Sequence, residues 1–116
     1  MAQRGADILC IGLDSAAMRT RLLILERAGH KVTQARDLRQ VESACEAISF
    51  DVAILGQSLN ANEKMRVSDV LQKNCKSAKI LELHIGVAPD LPHADEHLQA
   101  TAMEPQDLIG AVNALL

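Results

Sequence analysis

The sequence predicts an α/β protein built on a mostly parallel sheet with helices on both faces. Two observations carry that reading. Ile8-Leu9-Cys10-Ile11 and Val52-Ala53-Ile54-Leu55 are short apolar runs without alternation, as strands covered on both faces require. Between such runs lie stretches with apolar residues at helical spacing, the order expected of strand–helix–strand units. At 116 residues the chain suits one domain, residues 1–116, because two separate cores would each be too small.

The elements follow in order. Asp7 leads into the first apolar run, which ends at Gly12; Leu13-Asp14-Ser15 break it, and Asp14 or Ser15 caps the next helix. Met18, Leu22, Leu25 and Ala28 recur at helical spacing, and Gly29 sits where a C-terminal cap belongs. Lys31 to Ala35 is a second strand, polar enough to lie near a sheet edge. Asp37, with Gln40 three places on, resembles a capping box for a helix bearing Leu38, Val41, Ala44 or Cys45, and Ile48 on one face. The third strand, after Phe50 and Asp51, ends at Gly56, and a polar loop leads to a helix near Glu63 to Lys73, with Met65, Val67, Val70 and Leu71 apolar. Lys79 to His84 is the fourth strand. The rhythm then fails, because Gly86, Pro89 and Pro92 exclude a regular helix before a weak strand at residues 97–99. Pro105 starts the last helix, through Leu108, Ala111 or Val112, and Leu115. Five strands and four helices are expected, with the fourth helix of a five-unit plan missing or truncated.

Composition narrows the function. One Phe and no Trp or Tyr leave an aliphatic core and no base-stacking platform. The net charge is −3, and no basic residue follows Lys79. The earlier ones, from Arg4 on, are interleaved with acids, so nucleic-acid binding is not expected. Of the three cysteines none sits in a C-x-x-C; Cys10 and Cys45 fall in apolar patterns and read as core, while Cys75 carries no motif. MAQRGAD lacks the apolar region of a secretory signal, and no window is apolar enough to span a membrane. A reduced, cytoplasmic protein is the expectation.

In order and spacing, "ILCIGLDS", "FDVAILG", "KILELHI", "ADEHLQA" and "EPQDLIGAVNALL" resemble the receiver domain of bacterial two-component response regulators. That resemblance spans about Asp7 to Leu116 and implies a flavodoxin-like (βα)5 fold with three layers. It also implies a site of five groups at strand ends: two acids and an aspartate holding Mg²⁺, with that aspartate taking a phosphoryl group, plus a hydroxyl and a lysine binding the phosphoryl oxygens. Here the acidic pair falls on Gly12 and Leu13, with Asp14 one place beyond. The phosphoacceptor falls on Gly56, the hydroxyl on His84, and the lysine on Ala100, followed by Thr101 in place of proline. The scaffold is kept and the chemistry is lost.

Other groupings have plainer readings. Asp14 reads as a helix cap rather than a surviving Mg²⁺ ligand. His84, His93 and His97, with Glu82, Asp90 and Asp95, read as solvated loop residues rather than a zinc site. Asp51, at the start of its strand, reads as structural. A Ser58, His84 and Asp14 triad lacks a nucleophile elbow, and Gly12 and Gly56 are too isolated for a phosphate loop. No enzyme and no cofactor are expected. The leading expectation is a pseudo-receiver in phosphorelay signal transduction, independent of phosphorylation and acting through protein–protein interaction. The alternative is a small-molecule or metal-binding domain using a vacated pocket near Gly12, Gly56 and His84. Loss of the fourth helix should bare apolar surface on the fourth and fifth strands beside the last helix. A protein partner or second copy is expected there, with Asp90, Asp95, Glu96, Glu104 and Asp107 favouring a basic one.

Overall fold

The computed structural model describes residues 5–116, so Arg4 lies outside it. Five strands form one parallel sheet in the order β2-β1-β3-β4-β5: β1 Asp7–Ile11, β2 Lys31–Ala35, β3 Val52–Leu55, β4 Lys79–His84 and β5 Glu96–Gln99. Four helices complete it: α1 Ser15–Arg27, α2 Leu38–Ala47, α3 Ala61–Asn74 and α4 Pro105–Ala114. The strands and helices are those expected, and none of the described helices lies between β4 and β5.

Alternation along each strand divides the core in two. Ile8, Cys10, Val52, Ile54, Leu81 and Leu83 face Met18 and Leu25 of α1 and Leu108 and Val112 of α4. Leu9, Ile11, Ala53, Leu55 and Ile80 face Val41 of α2 and Val67 and Leu71 of α3. The sheet is thus the middle of three layers.

Local chemistry sets the element ends. Asp14 accepts from Ala16 N and Ala17 N, and Asp37 from Gln40 N, as N-caps do. Gly29, with φ +96°, takes the left-handed turn just beyond α1. The start of α3 lies earlier than expected, because Asn60 and Glu63 form a reciprocal capping box. Asp51 is structural as read: its Oδ2 accepts from Asp7 N at 2.9 Å.

Two expectations are corrected. Cys45 and Cys75 are not free thiols but form a disulfide, with their Cα atoms 5.5 Å apart. The end of α2 and the cap of α3 lie side by side on one face, and periodicity within one helix carries no information about its neighbour. Cys10 alone is free among the described cysteines, and buried. The second correction concerns β4. Its α3-side face is not bare, since Leu91 of the irregular β4–β5 segment is fully buried and Ala94 packs beside it. The large apolar side chains left open in the segment after β4 are Ile85, 63% exposed, and Val87, 96% exposed. Among the described residues no helix is long and apolar enough to cross a membrane.

Candidate functional site

Parallel strands bring Gly12, Leu13, Asp14, Gly56, His84 and Ala100 to one end of the sheet, the end where such folds carry their sites. Gly56 follows β3, and its N–H donates to Ile11 O at 2.8 Å. A Cβ on Gly56 would stand 3.0 Å from Arg21 Nη1 and 3.1 Å from Ile11 O. One on Gly12 would stand 3.3 Å from Met18 Sδ and 3.4 Å from Ser58 Oγ. Ser58 Oγ in turn accepts from Leu13 N at 2.9 Å. The pocket read as vacated is therefore filled between Gly12 and Gly56 by Met18, Arg21 and Ser58, which corrects that part of the alternative reading.

Sequence reasoning missed Arg21. It lies three places after Met18 and four before Leu25, on the face of α1 that packs on the sheet, and it is 5% exposed. Its guanidinium donates to Gln57 Oε1. Burial pulls its pKa down, while negative charge on Cys10 and Asp14 would oppose that. Burial also pushes the Cys10 thiol up to about 12, eased by the Arg21 charge, so Cys10 stays protonated and inert at neutral pH.

The remaining positions are engaged locally. The Asp14 carboxylate caps α1. His84 Nδ1 lies 2.7 Å from Gly86 O, and Ala100 N donates to His84 O at 2.7 Å. Ser58, His84 and Asp14 thus make no triad. The Mg²⁺ implied by the resemblance does not fit these residues. A hard cation asks for oxygen ligands, yet Gly12, Leu13 and Gly56 have no side-chain oxygen and a guanidinium stands against Gly56. The zinc reading fares no better. His93 meets Ser68 Oγ at 2.8 Å, His97 meets Leu91 O at 2.6 Å, and Asp95 accepts from Ile80 N at 2.7 Å. No group of three or more metal-ligating side chains is gathered among the described residues.

A second polar centre, also missed, lies under the β4–β5 segment. Lys64 of α3 is 1% exposed, and its Nζ donates to Glu82 Oε2 at 2.9 Å, Asp90 Oδ2 at 2.9 Å and Leu83 O at 3.0 Å. Glu82, wholly buried on β4, also accepts from Asp90 N at 2.8 Å and Leu91 N at 3.1 Å. Burial alone would raise its pKa. The hydrogen bond from Lys64, the two backbone N–H groups and the Lys64 charge outweigh that and hold the carboxyl below its usual range. This latch ties the segment to α3 and β4 where a helix would otherwise cover the sheet.

No family model matches this sequence, and no curated protein matches it either. Solved structures do resemble it. The chemotaxis response regulator CheY4 of Vibrio cholerae is 20% identical with a TM-score of 0.82, over 97% of this chain and 99% of that one. A receiver domain from Clostridium thermocellum is 23% identical, TM-score 0.77, covering 95% and 93%. The receiver domain of a Pseudomonas aeruginosa sensor histidine kinase, solved with magnesium coordinated in its active-site cleft, is 17% identical, TM-score 0.76, covering 96% and 97%. The chain has the fold of response-regulator receiver domains.

Proposed function

We propose that this chain is a pseudo-receiver of bacterial phosphorelay signalling: a domain that keeps the receiver scaffold, takes no phosphoryl group and works by binding another protein. One observation carries the reading. Where the phosphoacceptor would stand there is Gly56, and the guanidinium of the buried Arg21 would stand 3.0 Å from even a Cβ added there. Phosphoryl transfer on this scaffold asks for a nucleophilic oxygen after β3 and for oxygen ligands that hold a metal cation, and Gly12, Leu13 and Gly56 carry no side-chain oxygen for either task. The test is incubation with acetyl phosphate and Mg²⁺ followed by intact-mass measurement. The mass is expected to stay unchanged, and a phosphoryl adduct on the native chain overturns the proposal.

The binding side in this reading is that of β4, β5 and α4. Support comes from the open side chains of Ile85 and Val87, from β5 as a sheet-edge strand, and from the absence of any basic residue after Lys79. A basic partner fits better than a second copy, because like charges on two copies would repel. Titration against bacterial two-component kinases and output domains with basic docking faces tests it. Val87→Asp and Glu96→Lys should each weaken binding about tenfold or more. Unchanged affinity in both variants sinks this choice of surface.

A further inference from the structure

The space between Gly12 and Gly56 is filled, but a different cavity of about 510 Å³ opens on the opposite face of the same sheet end. It lies where the loops after β1, β2 and β3 meet the first turns of α2 and α3. We propose that this cavity binds a small organic anion with an apolar body: an alkyl or aryl group carrying a carboxylate or phosphate head.

The volume is that of an ordinary small-molecule site. Ile11, Leu59 and Val67, all buried, belong to its lining, with Leu38 and Leu13 beside them. These surfaces suit an apolar body and offer it no hydrogen bonds. Cations outnumber acids around them. Arg36, Arg39 and Arg66 come from two different elements and a loop, and all three line the cavity while exposed to solvent. Arg36 Nη2 donates to the backbone oxygen of Leu13 at 3.2 Å. Among the described residues none of the three has a carboxylate within ion-pairing distance.

The lining also holds two acids, so three arginines stand against two carboxylates and the cavity keeps a net positive formal charge. Asp37 accepts from Gln40 N at 2.8 Å and Glu63 from Asn60 N at 2.9 Å, so both carboxylates are fixed as helix caps. A protein with a net charge of −3 thus gathers three unpaired guanidinium groups at the rim of an apolar cavity. Guanidinium is the side chain best matched to carboxylate and phosphate geometry.

Leu13 supplies an independent observation. It lies in the loop after β1, keeps 42% of its surface exposed and borders the cavity. Its N–H is fixed by Ser58 Oγ at 2.9 Å. Packing within the chain leaves this leucine half covered, and an apolar ligand body in the cavity would cover it further. The location agrees with the general rule that open α/β sheets bind ligands beyond the carboxyl ends of their strands, near the point where strand order reverses. Here that point lies between β1 and β3. The α1 side of it is closed by Arg21 and the α2–α3 side is open.

The test is a ¹H–¹⁵N NMR titration of the whole chain with four probes: octyl phosphate, octanoate, octanol and inorganic phosphate. One or both amphipathic anions should saturate with Kd below about 1 mM, and octanol and phosphate should bind at least about tenfold more weakly. Shifts should centre on the amides of Leu13, Leu38, Leu59 and Val67. Octyl phosphate above octanoate selects a phosphate head, and the reverse selects a carboxylate. Arg36→Gln and Arg66→Gln, both at exposed positions, should weaken binding about tenfold in combination. Octanol binding as tightly as the anions, shifts centred on the α1–α4 side, or an unaffected double variant would overturn the proposal. The outcome does not depend on whether the chain is phosphorylated, so it stands or falls apart from the pseudo-receiver reading.

Discussion

Arg21 and Lys64 are both cations sealed inside this small domain, on opposite faces of the sheet, and they are held in opposite ways. Lys64 meets two carboxylates and a carbonyl, all within 3.0 Å. Arg21 meets an uncharged amide of Gln57 beside a protonated Cys10, and the carboxylate that acts on it, Asp14, is exposed to solvent rather than buried with it. A buried charge with a buried counter-charge becomes costly when either one is removed, because the survivor is stranded. A buried charge among neutral partners strands nothing on removal. The α2–α3 face is therefore locked, while the α1–α4 face is merely filled.

The largest expected effect tests the lock. Lys64→Met leaves the Glu82 carboxylate buried without its cation and should cost about 3–5 kcal/mol in urea unfolding. Replacing Glu82 by Leu in the same chain should recover most of the loss. A loss under about 1 kcal/mol in the single variant would mean that the two faces do not differ in the way described.

Acid supplies the next test. The folded pKa of Glu82 lies below its ordinary value of 4.5, so its contribution is fully present above that value and is lost as pH falls through the folded one. Stability measured downward from neutral pH should therefore drop more steeply below that value in the native chain than in Glu82→Gln. Parallel curves would remove Glu82 from the lock.

Arg21→Met should have the smallest effect, about 1 kcal/mol or less, since only the Gln57 amide loses a partner. A cost equal to that of Lys64→Met would erase the contrast and show that the Arg21 charge is also paired in effect.

Both cations were visible in the sequence as irregularities in a helical pattern. Arg21 falls between Met18 and Leu25 on the packed face of α1, and Lys64 precedes Val67 and Leu71 on that of α3. A charged residue in an apolar stripe reads as a long side chain reaching around to water, and only the partner across the fold reveals otherwise. The partners of Lys64 lie 18 and 26 residues away, on a strand and an irregular segment. The strands were legible because a run covered on both faces leaves its mark locally, as Val52–Leu55 does. The lack of a carboxylate after β3 was legible as well, since Gly56 has no side chain. The approach of Arg21 to Gly56 was not, and neither were the Cys45–Cys75 bond nor the cavity at Leu13, all of which arise where separate elements meet.

The β4–β5 segment runs from Ile85 to Asp95 with no helix of its own, and the amides of Asp90 and Leu91 both end on the Glu82 carboxylate. Those two protons are shielded from solvent exchange by one side chain rather than by a ladder of backbone partners. They should trade for deuterium together, through an opening that leaves the β3–β4 pairing closed and costs less than unfolding the domain. That result would mark a cooperative unit smaller than the domain, held by the Glu82 carboxylate together with the Lys64–Asp90 and Ser68–His93 contacts.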